Sequence, residues 1–183
     1  MTGTERARRW GLIRTFGGTL LIASFFALIP RPSFAKDLPR EAVLPLAMAN
    51  KAVAAALDKC TKDGYRVSVA VTDRAGVLRA FSRGDGAGSH TVESSAKKAY
   101  TAASLRGSTG DLAEMLGRMP VVQGLRDMND KILILGGGLP IEIDSEVVGG
   151  IGVGGAPGGH LDAACAQAGL DSIGAAHKLP APK

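Results

Sequence analysis

Arg66-Val-Ser-Val-Ala-Val-Thr-Asp-Arg-Ala-Gly-Val-Leu-Arg-Ala-Phe-Ser-Arg83 is the stretch on which the fold turns. Val67, Val69 and Val71 alternate with Ser68, Ala70 and Thr72, the period-2 pattern of a strand with one apolar face. Asp73-Arg-Ala-Gly76 supplies turn residues, and residues 77–83 continue as a second strand, so the stretch predicts a hairpin. Upstream, apolar residues recur at helical spacing over residues 39–62, and Gly64 stops the helix. Downstream, Gly84-Asp-Gly-Ala-Gly88 reads as a loop and residues 91–105 as a helix. Ser108-Thr-Gly-Asp111 is a capping signal for a short helix at 112–119, interrupted by Pro120. Residues 132–135, 139–143 and 146–153 are strand candidates, the last two joined at Asp144-Ser145. Residues 160–173 turn helical again, and 179–183 read as a frayed tail. The predicted order is α-β-β-α-α-β-β-β-α, an α+β domain with one antiparallel sheet and helices on its faces.

The 183-residue chain carries 22 Lys+Arg against 17 Asp+Glu, a formal net charge of +5, with 45% apolar and 21% charged residues. These proportions exclude a disordered or collagen-like chain. The positive charge is concentrated at the front. Arg6, Arg8, Arg9, Arg14 and Arg31 stand against one acid, Glu5, within residues 1–35, which leaves 17 basic and 16 acidic side chains in residues 36–183. The segment reads as a secretory signal peptide: a basic start, the run Gly17-Gly-Thr-Leu-Leu-Ile-Ala-Ser-Phe-Phe-Ala-Leu-Ile29, and the small-residue site Ser33-Phe-Ala35. Cleavage after Ala35 would leave a single domain, residues 36–183, in the periplasm or secreted. The uncharged stretch at 15–30 falls short of the ~20 residues needed to span a bilayer, so no stable membrane anchor is expected after cleavage. Tyr65, Phe81 and Tyr100 are the aromatics beyond residue 35. With a near-neutral mature charge, that scarcity argues against nucleic acid as a partner.

Cys60 closes the first helix pattern and Cys165 lies in the last. In an oxidising compartment the pair permits a disulfide; the other reading is two buried thiols in a helix–helix contact. A metal pair is disfavoured because no third or fourth ligand stands at a useful spacing.

Gly150, Gly152 and Gly155 formally satisfy a dinucleotide-binding G-x-G-x-x-G, but the chain lacks the following strand and acid that this motif requires. The glycines read better as a strand passing close beneath a helix or a ligand. Ser94-Ser-Ala-Lys97 and Ser95-Ala-Lys-Lys98 match the S-x-x-K of acyl-serine enzymes without its supporting motifs, and read as a solvated helix face. Of the three histidines, His160 opens the last helix and His177 lies in the tail. His90 stands between a glycine loop and a helix carrying Thr91, Ser94, Lys97, Lys98 and Tyr100. An imidazole so placed can ligate haem iron, and nearby cations can meet propionates; the bland reading is a loop histidine.

The hairpin at 67–85, Ser95-Ala-Lys-Lys-Ala-Tyr-Thr-Ala-Ala-Ser104, Gly136-Gly-Gly-Leu-Pro-Ile141, Glu146-Val-Val-Gly-Gly-Ile-Gly-Val-Gly-Gly155 and Asp162-Ala-Ala-Cys-Ala-Gln-Ala-Gly169 occur in one order. Together they resemble the GlcG/HbpS family of haem-binding proteins, related to the C-terminal domain of PduO-type proteins. The resemblance covers residues 44–173. It implies a profilin-like fold with a five-stranded antiparallel sheet, a homo-oligomer, and haem as cofactor. The implied roles are haem sequestration, redox sensing or oxidant-dependent haem degradation. On this reading His90 is the iron ligand, and Arg83, Lys97 and Lys98 pair with propionates. Gly136, Gly137, Gly138, Gly152, Gly154 and Gly155 line the pocket, and Thr91 and Tyr100 are secondary contacts. Met115, Met119 and Met128 are candidates for a sixth ligand, with core packing as their ordinary use. Two alternatives stand beside it. One is a non-catalytic module that binds another metabolite or a corrinoid, or serves a sensor partner; the other is an enzyme acting on haem or a small acid.

Overall fold

Antiparallel pairing of the hairpin builds the sheet outward from β1 (Ser68–Asp73), which sits between β2 (Leu78–Arg83) and β4 (Glu146–Gly154). β3 (Gly138–Ile143) pairs with the far side of β4, giving the order β2-β1-β4-β3 with every neighbour antiparallel. Around the strands run α1 (Leu46–Lys62), α2 (His90–Leu105), α3 (Thr109–Arg118), a 3-10 helix (Pro120–Asp127) and α4 (Gly159–Ile173). This computed structural model describes residues 38–175. The expected signal peptide at 1–35, His177 and the tail at 179–183 lie outside the described residues.

The two faces of the sheet differ because the strands alternate. Val67, Val69, Val71, Leu139, Ile141, Ile151 and Val153 form the apolar face, buried against Ala49, Ala52, Val53 and Ala56 of α1 and Ala166 and Leu170 of α4. The opposite face carries Ser68, Ala70 and Thr72, which pair in register with Gly154, Gly152 and Gly150. Helix α2 lies on this small-residue face. A Cβ at Gly152 would overlap the Ser95 carbonyl oxygen, and one at Gly150 that of Ala99. The glycines therefore serve a helix crossing, one of the two uses their pattern allowed. Since the obstacle is backbone, Gly152→Ala should cost roughly 2–3 kcal/mol, as overpacking of a close-packed interior does. A urea unfolding midpoint checks this; an unchanged midpoint would mean the helix can lift off freely.

Among the described residues the sheet has four strands, not five. Residues 132–135 carry a strand-like apolar run, yet side chains take their backbone groups. Thr101 Oγ1 accepts from the Leu133 N–H at 2.8 Å, Arg126 donates to the Ile134 carbonyl at 3.2 Å, and Thr109 donates to the Leu135 carbonyl at 2.8 Å. Helix α1 also begins at Leu46 rather than near residue 39. Pro45 precedes it, and a residue before proline is pushed out of helical geometry. The cap at Ser108 forms as expected, its Oγ accepting from the Gly110 and Asp111 N–H groups. The β3–β4 turn is the tight one expected, with Asp144 and Ser145 both at positive φ.

Cys60 and Cys165 form a disulfide between α1 and α4, with Cα atoms 5.5 Å apart and both residues fully buried. Of the two readings of the cysteines, the bridge is the one present.

Candidate functional site

One end of the sheet gathers the chemistry. β1 starts there opposite the ends of β2 and β4, as the pairs Ser68 with Arg83 and Ser68 with Gly154 require. Helix α2 starts just beyond β2 and α4 just beyond β4, while the C-terminal turn of α1 leads through Tyr65 and Arg66 into β1.

His90 is the first residue of α2 and is exposed. Its imidazole lies over Gly88, where a Cβ would stand 2.5 Å from Cε1 and 2.8 Å from Nδ1. Thr91, by contrast, is buried and occupied. Its Oγ1 donates to the Gly88 carbonyl at 2.6 Å and shares a 2.7 Å hydrogen bond with Ser68 Oγ, pinning the start of α2 to β1. It is a structural anchor rather than a pocket contact.

The two lysines of α2 separate sharply. Lys97 stands on the face of α2 shared with His90, seven residues on, and pairs with Glu93 at 2.9 Å. That pairing, first by hydrogen bond and then by charge, holds the exposed Glu93 carboxyl below the ordinary glutamate pKa. Lys98 points the other way. Its side chain is 3% exposed, and Nζ donates to Asp162 Oδ2 at 2.8 Å and to the Val153 carbonyl at 2.9 Å. The solvated-face reading of Ser95-x-x-Lys98 is therefore overturned: both residues are buried, and the ammonium ties α2 to α4 and β4. It is not available to a propionate.

Asp162 Oδ1 also accepts from the Ala156 N–H at 3.0 Å. Burial is the largest influence on this carboxyl and pushes its pKa above the ordinary aspartate value, against the pull of Lys98 and the backbone donors. The native state thus holds this proton more tightly than the unfolded chain. The stability linked to this titration is full in acid and is lost as pH rises through the raised pKa.

The remaining expected contacts disperse. Arg83 folds back on its own loop, Nε donating to the Ala87 carbonyl at 2.8 Å with Nη2 on the same oxygen. The Tyr100 ring covers Gly76 of the β1–β2 turn, with Lys131 Nζ 5.6 Å from its centroid. Ten residues of helix, about 15 Å, separate Tyr100 from His90. Around the six glycines the space is filled: Gly136 meets Gly159, Gly137 meets Asp162, Gly138 meets the Lys98 carbonyl, and Gly154 meets Ser94. Gly152 meets Ser95, and Gly155 the backbone at Arg66 and Val67. They line helix and strand crossings instead of an open pocket. Met119 and Met128 are exposed, and Met115 half-buried, all on the α3 side away from the start of α2. None of the three belongs to the main core. His160 repeats the geometry of His90, exposed at the start of α4 with its ring over Gly158.

A cleft of about 440 Å³ opens beside this end, lined by Leu57, Thr61, Tyr65, Arg66, Arg83 and Asp85. Motif reading did not find it, because its wall comes from α1, the α1–β1 loop and the end of β2. Tyr65 and Arg66 are neighbours in the α1–β1 loop, but Arg83 arrives from the end of β2, so the cationic pair leaves no local pattern. Among the described residues no group of three or more His, Cys, Asp or Glu is placed to hold a metal ion.

A three-layer arrangement of this kind, with a helix on a glycine-rich sheet face and an exposed histidine at its start, defines a small α+β domain. The chain belongs to the HbpS-like family: the family described as haem degrading protein HbpS-like matches residues 44–171. It is similar to HbpS of Streptomyces reticuli, solved as a double mutant, at 40% identity and a TM-score of 0.71, covering 80% of this chain and 98% of that one. Protein GlcG of Escherichia coli K12 is 34% identical over 113 residues, 61% of this chain and 81% of that protein. The crystal structure of a PduOC:heme complex shares the fold at 24% identity and a TM-score of 0.68, covering 74% and 98% of the two chains.

Proposed function

We propose that this protein is an exported haem-binding protein in which His90 ligates the iron. The exposed imidazole over Gly88, at the end of the sheet where the ends of six elements meet, is the observation that carries the reading. Membership of a family described by haem degradation supplies the ligand, and in the PduOC:heme complex the same fold holds haem.

The donor set fits one side of a haem. An imidazole nitrogen is an ordinary axial ligand, and Lys97 on the same helix face supplies a cation for a propionate once it leaves Glu93. Bound haem supplies an iron centre capable of ligand exchange and one-electron chemistry. The chain's own part is to orient the imidazole and neutralise the propionate. His90 lines neither of the two clefts described in this chain, so the open side of the haem calls for a second copy, and a homo-oligomer is part of the proposal. The proposed role is haem sequestration or redox sensing, with oxidant-dependent haem degradation as a further role that the family description raises. The basic, apolar leader at 1–35 and the Cys60–Cys165 bridge support export, since disulfides persist in oxidising compartments.

Haemin titration followed by absorbance tests the site. His90→Ala should weaken binding at least tenfold and alter the Soret band. Gly88→Ala should also weaken it, by pushing the imidazole aside, while leaving the unfolding midpoint in place. Wild-type affinity and spectrum in His90→Ala would remove His90 as the ligand.

A further inference from the structure

The cleft at Arg66 and Arg83 does not end at Tyr65. A second hollow of about 510 Å³, lined by Asn50, Val53, Ala54, Leu57, Phe81 and Ser82 among others, shares Leu57 and Thr61 with it. Asn50, Val53, Ala54, Leu57, Asp58 and Thr61 recur at three- and four-residue steps, so they form one stripe along α1, facing Phe81 of the edge strand β2. The stripe runs from Asn50 to Thr61, eleven residue steps or about 16 Å of helix. The result is a groove with an apolar limb and a cationic end.

At the cationic end the charges are not internally cancelled. Among the described residues neither Arg66 nor Arg83 has a carboxylate within 4.0 Å, although Asp85 sits on the rim. Asp58, the acid of the other limb, is paired with Lys62 at 2.6 Å. The Ala87 carbonyl takes two donors from one edge of the Arg83 guanidinium, and three of its five N–H groups remain. Arg66 is exposed, its stem crossing Gly86 at a distance that leaves no room for a side chain there. Two arginines against one acid leave a single positive charge, in a cleft that Tyr65 also lines.

We propose that this groove is a binding site for an amphiphilic monocarboxylate, distinct from the haem surface at His90. The carboxylate sits between Arg66 and Arg83, where guanidinium donors match its two oxygens. Its apolar tail lies along Leu57, Ala54 and Val53 against Phe81. Burial of the tail and pairing of the head are both needed: acetate lacks the first and a neutral amide lacks the second.

The test is calorimetric titration of the purified, disulfide-bonded protein with octanoate, octanamide and acetate. Octanoate should bind at least tenfold more tightly than either of the others. Arg66→Gln should lower octanoate affinity about tenfold and leave octanamide unchanged. Ala54→Glu, at an exposed position of the apolar limb, should lower octanoate affinity and leave acetate unchanged. Both positions are exposed, and an unaltered melting curve confirms folding. Equal affinities for the three probes, or full octanoate affinity in either variant, would overturn the proposal. His90→Ala should leave octanoate binding untouched; a loss there would mean one shared site and would also overturn it. Because octanoate carries no iron, failure of the haem reading leaves this result unaffected.

Discussion

Asp162→Ala is expected to destabilise the domain by about 3–5 kcal/mol, the range found when one partner of a buried ion pair is removed. The carboxylate and the Lys98 ammonium are 4% and 3% exposed and 2.8 Å apart. Removing the acid strands the ammonium with one remaining acceptor, the Val153 carbonyl, and leaves the Ala156 N–H without its own. The loss would be felt across three elements, because the pair joins α2 on one face of the sheet to α4 on the other and to the end of β4. Denaturant unfolding measures it. The double variant Lys98→Met, Asp162→Leu provides the control: with both charges gone and volume kept, most of the lost stability should return. A single-variant loss below about 1 kcal/mol would show that water reaches the pair.

Breaking the Cys60–Cys165 bridge should cost about 2–5 kcal/mol. It closes a separation of 105 residues, so its removal frees nearly the whole domain in the unfolded chain. It also joins the last turn of α1 to α4, the two helices that together cover the apolar sheet face. Since both sulfurs are buried, reductant must wait for the protein to open, and the cleaner comparison is the double Cys60→Ser, Cys165→Ser variant. Its melting temperature should fall by roughly 6–20 degrees. A shift of only a degree or two would mean that the α1–α4 contact holds the unfolded ensemble together without the bridge.

The sheet was legible where one strand has two different neighbours. Alternation in residues 67–72 told which side of β1 faces a core, and Gly150, Gly152 and Gly155 anticipated a close crossing. The apolar run at 132–135 misled because what keeps it out of the sheet lies far away in sequence. Thr101, Thr109 and Arg126 satisfy its backbone, and no local pattern announces a borrowed hydrogen bond. Lys98 misled for the same reason. A lysine in a Ser/Lys-rich helix looks solvated until Asp162, 64 residues on, is brought beneath it. His90 stood out as a candidate because a histidine after a glycine loop is a local signal. Arg66 was missed because its place in the cleft depends on Arg83 arriving from the end of β2.

The central claim, haem held through His90, is tested most directly by asking which nitrogen touches the iron. Protein labelled with 15N-histidine and loaded with one equivalent of ferric haem should show hyperfine coupling from a labelled imidazole nitrogen to the iron in pulsed electron paramagnetic resonance. That coupling should disappear in His90→Ala. A labelled nitrogen coupling that persists in His90→Ala, or none in the wild-type complex, would contradict the account.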